Sequence, residues 1–188
     1  MALRLGEAAP TPRPAGRPMS ALAARIVRAE AERPAPLDPD DLAVMVARFA
    51  SAGGRWRTYV RHDPHRRWYV RLAWTPRHEI WLLCWELGHA IDLHDHGTSA
   101  GAFVVTEGVL REEYVRGDDL HRVNLRPGLV RRFAAGHVHT VWNDGPGAAT
   151  SIHAYSPPLY SMTYYTRDLS TGLQPTHVEL VPKTAVPS

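Results

Sequence analysis

The sequence predicts a mainly β domain, a barrel or sandwich of short strands behind a short helical start. Two observations carry this reading. From Trp56 to about Arg167, β-branched and aromatic runs alternate with turn residues. Ahead of that stretch, two segments show helix caps, and the second carries a clear helical apolar period. A chain of 188 residues, 44% hydrophobic and 22% charged, suits one globular domain with a proper core.

The helical start is read from its punctuation. The first 18 residues hold four prolines and three arginines, and residues 1–19 read as a disordered arm. Ser20 can cap a helix running to about Glu32, which Pro34 and Pro36 end. Asp38 caps a second helix, with Pro39 in its first turn, where a missing N–H costs nothing. Leu42, Met45, Val46 and Phe49 then make one apolar stripe, and Gly53 and Gly54 stop it. The single domain expected is 20–188, with its helical start over 20–54 and its barrel over about 55–170.

The strands are read from runs such as Trp68–Trp74, Ile80–Leu87, Ala102–Thr106, Val109–Val115, His137–Trp142 and Thr150–Tyr155. Breaks fall at Pro76, Gly97, Gly108, Gly117-Asp118-Asp119, Pro127-Gly128 and Asn143-Asp144-Gly145. The tail after Gly172 is polar, carries proline and gives no placement.

Composition narrows the function classes. A net charge of +3 is too small to argue for nucleic acid or a membrane surface as partner. No apolar run approaches the ~20 residues of a membrane helix. Cys84 is the one cysteine, so no intrachain disulfide can form, which is compatible with a reducing cytoplasm. A cytoplasmic monomer with neither nucleic acid nor membrane as partner is the expectation.

His94-Asp95-His96 is an H-x-H pair, and residues i and i+2 of a strand point to one face. His139 lies 43 positions on, in another strand run. Three neutral imidazoles suit Fe, Zn, Cu or Ni, and three protein ligands leave positions open for chemistry. Against this stands the count of 11 histidines, among which a chance H-x-H is not rare.

The flanks resemble the two cupin motifs. The first, G-x5-H-x-H-x(3,4)-E-x6-G, is met by Gly88, His94, His96 and Gly108, with Gly101 where the acidic ligand stands. The second, G-x5-P-x-G-x2-H-x3-N, is met by Gly128, Gly136, His139 and Asn143, with Ala134 where proline is usual. Within that superfamily, Leu83-Cys84-Trp85, the stretch from Gly88 to His96 and Ile152-His153-Ala154-Tyr155-Ser156-Pro157-Pro158 resemble cysteine dioxygenase. The likeness runs from about Trp68 to Tyr165.

The resemblance implies a jelly-roll cupin barrel that binds one Fe(II) per chain through His94, His96 and His139. It implies conversion of L-cysteine and O2 to cysteine sulfinate. It carries a Ser-His-Tyr relay onto Ser151, His153 and Tyr155, which strand alternation also sets on one face. It carries the substrate-carboxylate arginine onto Arg71 and a neighbouring tyrosine onto Tyr69. A cis Ser156–Pro157 bond is implied as well. Some relatives join a cysteine to the tyrosine matching Tyr155; that cysteine's position is Gly101, so no such thioether can form there.

Each residue has a plainer reading. His153 and Tyr155 can be a satisfied core pair, and Arg71 can face water. Cys84 reads as a small buried hydrophobe. His89 and His137 read as neither ligands nor catalysts. Two rival functions stand beside the first: a 3-mercaptopropionate dioxygenase, and a non-catalytic metal-binding cupin. Relatives of the first rival use glutamine in place of the arginine, and Gln174, the one glutamine, lies past the strand runs.

Overall fold

A computed structural model of the protein describes residues 34–117, 119–168 and 170–181. The expected arm and the helix from Ser20 to Glu32 lie outside the described residues. Helix α1 spans Pro39–Ser51, and the Asp38 side chain caps it by accepting from Asp41 N at 2.8 Å. Its apolar stripe buries Leu42 and Val46. Two single 3₁₀ turns, Gly53–Arg55 and Arg57–Tyr59, lead into the strands.

Eleven strands follow: β1 Trp68–Trp74, β2 Glu79–Trp85, β3 Ala90–His94, β4 Ala100–Glu107, β5 Leu110–Arg116, β6 Asp119–Leu125, β7 Val130–Phe133, β8 His139–Trp142, β9 Ala149–Ser156, β10 Ser161–Asp168 and β11 Gly172–Leu180. They form two antiparallel sheets, ordered β1-β2-β9-β4-β7 and β11-β10-β3-β8-β5-β6. The mainly β class is as predicted. The two sheets of the jelly roll are separate ladders and do not close into one continuous barrel. The β structure also runs past the predicted end near residue 170, because the unplaced tail pairs with β10 as β11.

Strand β9 shows how the layers are built. Every residue of it is buried, because both of its faces are covered. Ile152 and Ala154 join Leu42, Val46, Trp56, Ile80 and Leu82 in one core cluster, under helix α1. Tyr155 belongs to the second cluster, with Trp81, Trp85, Phe103 and Phe133. Alternation thus splits the first sheet into a helix-covered face and a face that lines the site. Trp68, Val70 and Leu72 of β1 pack on the helix-covered face, as the alternation predicts. Trp74 does not: a bulge between Arg71 and Ala73 shifts the register, and Trp74 is 56% exposed.

Candidate metal centre and active site

The two histidines of the H-x-H pair are held by different means. His94 is the last residue of β3 and faces His139, the first residue of β8, in the ladder. His96 lies just beyond the strand. Asp95 between them is pinned to β10: its backbone N–H donates to Thr163 O at 2.9 Å, and its carboxylate accepts from Tyr165 OH at 2.6 Å. With Asp95 tied outward, His94 and His96 turn inward, their Nε2 atoms 3.2 Å apart. His94, His96 and His139 are all buried, and their ligand atoms lie within 4.8 Å of one another.

Neighbouring groups fix two of the three imidazole tautomers. His94 Nδ1 donates to Asp92 O at 2.7 Å, and His139 Nδ1 donates to Glu112 Oε1 at 2.8 Å. Both rings therefore present a bare Nε2. Ligands set at right angles on bonds of about 2.1 Å have nitrogens ~3 Å apart, which the 3.2 Å pair fits. His96 Nδ1 is buried without a partner. The donor set suits a transition metal.

The second constellation stands on β9. Trp85 Nε1 can only donate, and it donates to Ser151 Oγ at 2.9 Å. Ser151 Oγ is hydrogen-bonded to His153 Nε2 at 2.8 Å, and we assign the tautomer in which the hydroxyl donates. That leaves His153 Nδ1–H to donate to Tyr155 Oη at 3.2 Å. Tyr155 keeps its hydroxyl hydrogen for the cavity it lines. Burial, then the charge of Glu79, pushes the Tyr155 phenol up, so it stays protonated. The expected trio is thus one chain of hydrogen bonds, and Trp85 is a fourth member not anticipated from the sequence.

A cavity of about 420 Å³ joins these groups, lined by His94, His96, His139, His153 and Tyr155. Tyr69, Trp81 and Trp85 line it from β1 and β2, and Tyr164 and Glu179 from β10 and β11. Arg71, expected in the wall, is not among the lining residues. Its Nη1 lies 3.4 Å from Glu79 Oε2, and Glu79 is 1% exposed, so this arginine already has a buried anion beside it. The arginine that lines the cavity is Arg67, one residue before β1. Its Nη1 donates to Ala90 O at 3.1 Å, and its guanidinium lies 4.9 Å from the Trp85 ring. Its Nε is buried without a partner, as is Trp81 Nε1 in the same wall. Residues 67, 69 and 71 share one face by alternation, and that signal points to Arg67 once the strand's start is known.

Three other residues named in the sequence have the following surroundings. Cys84 is buried in the helix-covered cluster, and burial pushes its thiol up. His89 Nδ1 accepts from Glu86 N within a turn. His137 Nε2 lies 3.4 Å from Glu112 Oε1, and Glu112, His137 and His139 form a second close group of possible ligand atoms that shares His139 with the three converging imidazoles. Asn143 ties its own turn together, donating to Trp85 O and Gly147 O. The Ser156–Pro157 bond is cis, as the resemblance implies.

Comparison with known proteins decides the family. The model of the family described as cysteine dioxygenase type I matches residues 20–168. The chain belongs to this family. It is therefore a cupin and a dioxygenase-type enzyme, with a three-histidine site able to hold a non-haem metal. Among solved structures, similar ones include a protein from Thermus thermophilus, at 20% identity and TM-score 0.49, covering 54% of this chain and 93% of that one. Another is a cupin superfamily protein from Desulfitobacterium hafniense, at 14% identity and TM-score 0.47, covering 54% and 87%. No helix among the described residues is long and apolar enough to cross a membrane.

Burying four imidazoles has a cost that pH exposes. Burial, the largest cause in each, holds His94, His96, His139 and His153 below the ordinary imidazole range, His153 at about 3. Below the unfolded value of ~6.5 the unfolded chain binds more protons than the folded one, so stability falls as pH falls. The Tm of the metal-free protein should drop steadily from about pH 7 to about pH 4.5. A flat Tm across that window would mean that the four rings take protons without unfolding the chain.

Proposed function

We propose that the protein is a non-haem iron thiol dioxygenase that converts L-cysteine and O2 to cysteine sulfinate. His94, His96 and His139 hold one Fe(II) per chain, and the ion supplies thiolate formation and O2 activation. The observation that supports this reading is one cavity lined by the three histidines, by the phenol that ends a hydrogen-bonded relay, and by a half-buried arginine whose Nε is buried without a partner. The reaction balances without a co-reductant: sulfur loses four electrons, and both atoms of O2 end on it.

The chain's own residues bind, orient and shield. Arg67 takes the substrate carboxylate in place of Arg71, because its half-buried cation lines the cavity and Arg71 already has Glu79. Trp81 and Trp85 give that end of the cavity apolar walls, which strengthen the charge contact by excluding water. Tyr155 would direct its hydroxyl hydrogen toward substrate held in the cavity it lines. His153, held neutral, keeps that hydroxyl oriented through Nδ1–H.

A thiol panel tests the reading. Iron-loaded protein should consume O2 with L-cysteine and form a product 32 mass units heavier (about two oxygen atoms). Uptake should be weaker with 3-mercaptopropionate and weakest with cysteamine, which lacks the carboxylate. A preference for 3-mercaptopropionate would move the assignment to the rival dioxygenase. No uptake with any thiol would leave a binding protein.

A further inference from the structure

Gly101, where the related motif carries an acidic ligand, could take a side chain only if the Phe133 ring moved. A Cβ there would lie 2.4 Å from Phe133 Cζ and 2.5 Å from Cε2. The Phe133 ring fills that side, stacked 5.2 Å from His96 and 4.9 Å from His137. Three neutral imidazoles around a divalent ion then leave a buried double charge with no anion among its protein ligands.

A carboxylate nevertheless stands one hydrogen bond away. Glu112 on β5 is fully buried at 0% exposure and accepts from His139 Nδ1 at 2.8 Å. Its other oxygen accepts from Arg131 Nε at 2.5 Å, and His137 Nε2 lies 3.4 Å from the first. Arg131 reaches in from β7, with its guanidinium 4.9 Å from the Tyr114 ring. A carboxylate is costly to bury, and this one has been placed at the back of a ligand ring.

We propose that Glu112 supplies the negative charge of the metal centre through His139, in place of the acidic ligand absent at Gly101, and that Arg131 limits how much of that charge the ion feels. The inference rests on the reading that His94, His96 and His139 hold a metal. A histidine whose free N–H goes to a carboxylate is a more basic ligand. The same carboxylate shared with a guanidinium is a weaker acceptor toward the histidine. Routing the charge through the ring leaves the remaining positions on the ion open. Glu112 is a positioning residue here and does not touch substrate.

The test uses the full chain, Co(II) as the binding probe in competition with a chelator, and the Fe(III)/Fe(II) midpoint potential of the iron-loaded protein. Glu112→Gln keeps a carbonyl acceptor for His139 and removes the charge. Arg131→Met removes the guanidinium and keeps an unbranched side chain. Wild type should take one Co(II) per chain. Glu112→Gln should bind it about 10- to 100-fold more weakly and raise the potential. Arg131→Met should bind it more tightly and lower the potential. Opposite signs separate charge from packing, since a loosened site would weaken both variants alike. Shifts of the same sign, or a Glu112→Gln variant matching wild type in both readouts, would overturn the proposal. Should Glu112→Gln fail to fold, Arg131→Met alone decides, and a potential at or above wild type overturns it. A wild-type chain that takes no metal would overturn the three-histidine reading first, a result distinct from any of these.

Discussion

His139→Ala should strip the chain of its metal and bring thiol turnover below detection. His139 is the ladder partner of His94, so it anchors the centre from β8 while His94 anchors it from β3. It is 2% exposed, and its tautomer is held by Glu112. Without it, two imidazoles remain, fewer than the three protein ligands usual for catalytic metal sites. Iron content per chain should fall from about one to near zero, measured by elemental analysis after dialysis. The substitution also takes a hydrogen bond from the buried Glu112 carboxylate, at ~1–3 kcal/mol, so circular dichroism must accompany it. Arg131 and His137 stay beside that carboxylate, and the fold should survive. His137→Ala is the control: it lies two residues away and should keep its iron. Stoichiometric iron in folded His139→Ala would remove His139 from the centre.

What the sequence made legible was whatever a strand's own alternation encodes. Ser151, His153 and Tyr155 repeat at period two, and the structure joins them by hydrogen bonds along one strand face. His94 and His96 meet for a related reason, although His96 lies beyond the strand and depends on Asp95 being tied to Thr163 and Tyr165. What stayed illegible lies between strands. Glu112 reads as one of two adjacent acids on an ordinary strand, Glu112-Glu113, until the β5–β8 pairing brings His139 near it. Trp85 reads as core, and its N–H turns out to head the Ser151 relay. Strand β11 gave no signal because nearly all its residues are exposed, so no burial imposes a hydrophobic period on it. Pro175 within it reads as a break, and the register bulge between Tyr164 and Tyr165 accommodates it. The surroundings of Arg71 are the same kind of fact. Alternation puts it on the correct face, but only the fold sets Glu79 beside it and Arg67 in the cavity wall.

That pair of arginines gives the second large effect. Arg67→Ala should cut kcat/KM for L-cysteine at least tenfold, on the order of the ~1.5–3 kcal/mol of a hydrogen bond to a charged group. The same variant should change kcat/KM for cysteamine far less, since that thiol has no carboxylate to lose a partner. Arg67 stands in the wall with Tyr69 and Trp85, and its one hydrogen bond shown goes to the Ala90 carbonyl. Burial lowers its pKa, Glu179 in the same lining offsets part of that, and a substrate carboxylate would offset more. Arg71→Ala should behave differently. It takes the cation from the Glu79 carboxylate, 1% exposed, leaving it the Leu159 N–H, and breaking such a pair costs up to about 3–5 kcal/mol of folding stability. Its Tm should fall, while the ratio of cysteine to cysteamine efficiency stays near that of wild type. The selector is thus read from a ratio of substrates, and the structural partner from a melting curve. If Arg71→Ala is the variant that collapses the cysteine-to-cysteamine ratio and Arg67→Ala leaves it intact, the carboxylate binds at Arg71. Substrate would then have to displace Glu79 from its arginine before it could bind.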